Sequence, residues 1–384
     1  MTQINGMVAD GFGAVADAFE RNFADHGELG AAFSLYVDGV AQVDIWAGVA
    51  DRQSGRLWAD DTLQLVYSTT KGAAAICVAR LVEAGLVSYD EPVATYWPEF
   101  AANGKESVTV RQLMSHQAGL PYASAPLSFD DLMAVTPVVE ALAAQAPVWE
   151  PGTAHGYHAV TYGWLAGELV RRADGRRIGR YFAEEVAGPL GLDFWIGLPE
   201  SEEPRVSRLE AAPPPTDPEA LAMMMQIAGP GTVGFNALFM SGVMLAGPAD
   251  AFNSRAVHAT EMPAANGITT ARSLARMYAA TVGTVDGVRL IDDATMDAVR
   301  AEAVNGPDAC LVVPSRFGMG FMLDGELTPM LSPDSFGHAG AGGSLGYADP
   351  EAKVGYGYVM NQMGGGIAGD PRTINLTDAV RSCI

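Results

Sequence analysis

Strand-forming sequence in this chain is concentrated near its two ends, and that placement restricts the fold more than any other feature. Residues 31–51, AAFSLYVDGVAQVDIWAGVAD, read as paired strands. The Asp38-Gly39 dipeptide supplies the hairpin turn, and β-branched or aromatic residues flank it. A second strand-rich zone lies near the C-terminus at 317–323, 336–349 and 354–363. Between the zones the pattern is mainly helical, as at 72–84, from Thr109, at 158–173 and at 270–282. Thr109 and Gln112 have capping-box spacing. The opening segment to about Phe23 also reads as a helix, and 200–220, rich in Pro and Glu, as a long surface connection. The expected fold is an α/β domain from residues 1–70 and 255–384, with a mainly helical domain, 71–254, inserted. Its sheet is antiparallel and flanked by helices.

Composition removes several function classes. The 384 residues carry a net charge of −22, which repels phosphate backbones and excludes nucleic acid as a partner. The three cysteines form neither a disulfide framework nor a zinc-binding spacing. The first 20 residues lack a basic n-region and an unbroken apolar run, so no secretory signal is expected. No window of the chain approaches about 18 uninterrupted apolar residues, so no membrane span is expected. A cytoplasmic address follows. Composition says nothing of oligomeric state.

Three constellations carry chemistry. Ser68 and Lys71 precede a helix whose residues are small and apolar on nearly every face. A serine at that helix start has a free N–H at the positive end of the dipole. A lysine three residues on shares its face, and burial would leave the amine neutral and able to take the hydroxyl proton. The same residues would also serve as an N-cap and a surface lysine. Next, the turn Pro151-Gly152 leads to Tyr157, just ahead of a helix. A phenol beside an ammonium has a lowered pKa and can relay protons; otherwise it packs. Finally, His338-Ala339-Gly340 opens a glycine-rich strand whose backbone a substrate can approach.

Ser68-Thr69-Thr70-Lys71, Ser115-His116, Trp149-Glu150-Pro151-Gly152, Tyr157-His158-Ala159 and His338-Ala339-Gly340 follow one another in an order that resembles the serine β-lactamase and penicillin-binding-protein superfamily. The resemblance spans about residues 30 to 365, and it is to the class C-like branch that includes the family VIII carboxylesterases. It implies a β-lactamase/transpeptidase-like fold with its active site in the cleft between two domains, and no metal or organic cofactor. It assigns the nucleophile to Ser68, the base to Lys71 and the proton relay to Tyr157. The oxyanion hole would be the N–H groups of Ser68 and Ala341. His338, Ala339, Gly340, Ser344 and His158 would line the substrate site.

Two departures from that pattern favour esters. Tyr157 is followed by His158-Ala159 where the lactamases have Tyr-x-Asn, so the amide that holds a lactam side chain is missing. His338 replaces the lysine of Lys-Thr-Gly, exchanging a fixed cation for a titratable imidazole. The expected function is a serine carboxylesterase acting on small, largely apolar esters. Met223–Met225 and residues 239–245 are candidates for an apolar pocket. The alternatives are a β-lactamase, D-amino-acid peptidase or amide hydrolase with the same residues, and a non-hydrolytic penicillin-binding sensor. Gly342-Gly343-Ser344-Leu345-Gly346 matches a nucleophile elbow, but all six histidines precede Ser344 and the context is strand rather than strand–turn–helix.

Overall fold

The computed structural model describes residues 2–213, 215–366 and 368–384. Pro214, within the proline-rich stretch, lies outside them. A ten-stranded antiparallel sheet draws strands from both ends of the chain. Its order begins Asn5–Val8, Val40–Asp51, Gly30–Val37, then crosses to Val354–Met360, Leu345–Asp349 and Phe336–Ala339. The short strands Met322–Leu323, Pro314–Phe317 and Val304–Pro307 complete that edge, and the tenth, Arg56–Leu57, pairs with Val40–Asp51 off this path.

The pairing across the two ends follows from the sequence Val-Gly-Tyr-Gly-Tyr-Val-Met at 354–360. Alternation sends Gly355 and Gly357 to one face and Tyr356 and Tyr358 to the other. On the glycine face the helix Ala271–Val282 comes so close that a Cβ would meet Ala275 O at 2.3 Å or Ala271 O at 2.4 Å. On the other face Tyr356 stacks on Tyr347 at 4.4 Å, its hydroxyl 3.5 Å from Thr373 O of the helix Pro371–Arg381, which packs on the helix Gly13–Asp25. Small residues therefore set the depth of one layer and aromatic residues fill the other.

Helix positions agree with the sequence reading to within a few residues: Thr70–Glu83, Thr161–Asp174 and Ala271–Val282. The Thr109 capping box is formed, although its helix is only Val110–Met114. Three readings need correction. The N-terminal segment is not all helix, since Asn5–Val8 is an edge strand paired with Val43–Trp46. All four of its residues are exposed, so no apolar alternation marked it. The 317–323 zone is two strands interrupted at residues 318–321. Part of 200–220 is not surface loop: Ser207 and Leu209 are buried, and Ser207 N–H donates to Leu63 O at 2.7 Å.

A buried ionic cluster ties the last helix to the sheet. Arg372 pairs with Glu28 at 3.1 Å and Asp370 at 2.8 Å, and its Nη2 donates to Gly342 O at 2.6 Å. Burial pushes the Glu28 carboxyl up to about 7, against the pull of Arg372. Arg372→Ala leaves that carboxyl without its cation and is expected to cost about 3–5 kcal/mol in urea unfolding. Because Gly342 adjoins Ala341, the same variant should lose ester turnover in the protein that remains folded.

Candidate active site

A three-stranded sheet (Gln64–Leu65, Ile268–Thr269, Phe194–Trp195) delivers the chain to Ser68. Val66 N–H is held by Gly267 O at 2.9 Å, and the chain then turns sharply. Tyr67 takes φ +43°, a left-handed conformation that costs a bulky residue energy and marks a constrained site. Ser68 follows, partly exposed, directly before the Thr70–Glu83 helix.

Lys71 is fully buried on the first turn of that helix. Its Nζ lies 3.1 Å from Ser68 Oγ and donates to Ala159 O at 2.6 Å and Ala264 O at 3.0 Å. Among the described residues no carboxylate pairs with it, and burial pushes its pKa well below the ordinary lysine value. A neutral amine has two N–H bonds and one lone pair. With both N–H groups taken by carbonyls, the lone pair is left facing the Ser68 hydroxyl.

Tyr157 is almost entirely buried, with its ring centroid 4.8 Å from Lys71 Nζ. The expected lowering of its pKa is not found. Burial raises it, and interaction with the Ser68 hydroxyl offsets only part of that rise. The cause is the near-complete burial of the phenol, to which the charge of the Asp308 carboxylate adds. The phenol therefore keeps its proton.

Ser68 N–H and Ala341 N–H donate to no protein acceptor among the described residues. Two free backbone donors of this kind are what an oxyanion requires. Gly340 brings its strand against the Ser68 turn: a Cβ there would lie 2.3 Å from Val66 O. Ala339, just before it, is buried at the end of its strand.

The other sequence candidates take different places. Ser344 is buried, donating to Val66 O at 2.9 Å and lying 3.0 Å from Thr69 Oγ1. It braces the turn. His158 is buried too; its Nε2 accepts from Leu120 N–H at 2.9 Å and its Nδ1 lies 2.6 Å from Gly156 O. Both ring nitrogens serve the turn rather than a ligand, and burial lowers its pKa to about 4. His338 does not titrate near neutrality. It is fully buried, its pKa falls to about 3, and its Nδ1 lies 2.7 Å from Ala339 O. Met223–Met225 sit on the helix Pro218–Ala228, which buries none of its residues, so they form no enclosed pocket.

Sequence reasoning missed the two carbonyl acceptors of Lys71, because main-chain acceptors leave no residue signature. It also missed Asp308, whose carboxylate accepts from Tyr157 N–H. No group of His, Cys, Asp and Glu among the described residues is arranged to hold a metal ion.

A serine beside a buried lysine of lowered pKa, with two free N–H groups and a protonated phenol, is the equipment of serine acyl transfer. The Beta-lactamase family model matches residues 15–379. The "Esterase/beta-lactamase LipL" of Mycobacterium tuberculosis (strain ATCC 25618 / H37Rv) is 37% identical over 362 residues, covering 92% of this chain and 81% of LipL. A solved family VIII carboxylesterase superposes with TM-score 0.90 at 41% identity, covering all of both chains. A penicillin-binding-protein homologue from Caulobacter crescentus gives TM-score 0.88 at 40% identity, again covering both chains completely. The chain belongs to the Beta-lactamase family. It is a serine hydrolase.

Proposed function

We propose that the protein is a serine carboxylesterase that hydrolyses small, largely apolar esters through an acyl-enzyme on Ser68. The observation that carries this reading is the Lys71 amine, buried without a carboxylate partner, its pKa pushed well below the ordinary lysine value, 3.1 Å from Ser68 Oγ. Lys71 takes the Ser68 proton as Oγ attacks the ester carbonyl, and the N–H groups of Ser68 and Ala341 hold the oxyanion. Tyr157 gives its proton to the leaving alkoxide and recovers one from the Lys71 ammonium. Water then attacks the acyl-enzyme, surrendering a proton through the same pair, and Ser68 Oγ leaves with the proton returned by Lys71.

Substrate class follows from what surrounds the serine. The Tyr67 ring packs tilted against Phe252, with centroids 4.7 Å apart, and both join an apolar cluster with Phe129, Met133 and Met363. Met363 also covers Gly342, beside Ala341. Position 159 offers only a methyl group, and position 338 an uncharged imidazole, so neither an acylamino group nor a carboxylate finds a side-chain partner there. Lactam hydrolysis is the second reading, favoured by the paired name of LipL. A cytoplasmic location completes the proposal, supported by the free thiols Cys77, Cys310 and Cys383. No helix among the described residues is long and apolar enough to cross a membrane.

Turnover of p-nitrophenyl acetate, butyrate and octanoate beside nitrocefin tests the choice. The expected kcat/KM for acetate or butyrate exceeds that for nitrocefin by about 100-fold, the contribution of one or two lost polar contacts. Nitrocefin turnover equal to that of the esters would replace this reading with the second.

A further inference from the structure

Tyr157 lies outside regular structure, four residues before the Thr161–Asp174 helix, so helix geometry does not fix its phenol. What holds it is a loop about 150 residues further along the chain. Both carboxylate oxygens of Asp308 lie close to Tyr157 N, at 3.0 and 3.1 Å. The same carboxylate accepts from Cys310 N–H at 2.8 Å, Leu311 N–H at 2.9 Å and Ser315 Oγ at 2.8 Å. Ser315 Oγ in turn lies 3.0 Å from His155 Nε2, two residues before Tyr157. With its own hydrogen given to Asp308, Ser315 accepts from the imidazole N–H. Phe317, on the strand that carries Ser315, stacks parallel to the Tyr157 ring at 5.9 Å.

We propose that Asp308 is a positioning residue for ester hydrolysis: its buried carboxylate pins the Tyr157 main chain, and so aims the phenol at Ser68. This rests on the esterase reading of the Ser68 site. Asp308 is only 2% exposed, and a buried carboxylate is retained only where hydrogen bonds satisfy it. Here every such bond converges on the Tyr157 segment or on the loop that braces it. The negative charge also raises the phenol pKa, which keeps the proton on Tyr157 until an alkoxide takes it. Replacing a pinned turn by a loose one moves the phenol without removing it.

The test compares wild type with Asp308→Asn, Asp308→Ala, Ser315→Ala and Tyr157→Phe, and with Asp308→Asn combined with Tyr157→Phe. Initial rates on p-nitrophenyl acetate are normalised to folded protein by near-UV circular dichroism. Asp308→Ala is expected to lower kcat by about 100-fold with KM changed less than about twofold, the signature of a misplaced group rather than lost binding. Asp308→Asn, which keeps one acceptor oxygen, recovers about tenfold of that loss. Once Tyr157 is phenylalanine, Asp308→Asn costs less than about twofold, because the aimed hydroxyl is gone. If Asp308→Ala does not fold, Asp308→Asn and Ser315→Ala carry the comparison.

Wild-type kcat in Asp308→Asn overturns the proposal, as does an equal loss in the presence and absence of the Tyr157 hydroxyl. Undiminished turnover in Tyr157→Phe alone overturns the proton-donor reading beneath it, and the proposal with it. That outcome is separable, because Asp308 then need not be mutated to see it.

Discussion

Lys71→Met is expected to lower ester kcat by roughly 10⁴-fold, the upper range for loss of a general base. Methionine nearly matches the lysine stem in length, so the buried helix should still pack. The variant carries a second, thermodynamic signature. An unfolded lysine titrates near its ordinary value of 10.5, whereas burial holds the folded one well below it. Between those two values the unfolded chain binds a proton that the folded site refuses. Wild type therefore loses stability relative to Lys71→Met as pH falls from 10.5 toward the folded lysine's own pKa. The slope approaches about 1.4 kcal/mol per pH unit. Urea unfolding of both proteins at several pH values measures it. A pH-independent difference would mean that Lys71 is charged in the fold, and the base assignment would fail.

The second large effect separates two serines. Ser68→Ala should reduce turnover by about 10⁴-fold or more, leaving only what binding and the oxyanion donors provide. Ser344 resembles a nucleophile by motif, yet its hydroxyl is buried and donates to Val66 O. Ser344→Ala removes a brace of the Ser68 turn and leaves Val66 O without that donor. It should cost about 1–3 kcal/mol of stability and retain most activity. The reverse pattern would move the nucleophile to Ser344.

Much of this fold is visible in the sequence where a side-chain pattern has a single physical solution. The Asp38-Gly39 hairpin, the capped Thr109 turn and the alternating glycines and tyrosines of 354–358 are of that kind. Patterns without burial were not visible: Asn5–Val8 pairs through backbone alone, with every residue exposed. At the site, Ser68, Lys71 and Tyr157 are brought together, and the spacing of Ser68 and Lys71 made their meeting legible. The state of each group was harder to read. Tyr157 has a raised rather than lowered pKa, and His338 is neutral, because both depend on how completely the fold excludes water. Long-range partners were hidden for the same reason. Nothing local in Asp308 announces that it will meet Tyr157, and Arg372 reaches Gly342 only after the last helix docks.

Hydrolysis through Ser68 passes through a covalent acyl-enzyme, which can be trapped. Wild-type protein mixed with p-nitrophenyl butyrate, acid-quenched during steady turnover and digested, should yield one peptide heavier by a single butyryl group. Fragmentation should place that group on Ser68, and Ser68→Ala should show none. A butyryl group on Ser344, or turnover at full rate with Ser68 never acylated, would rule out Ser68 as the nucleophile.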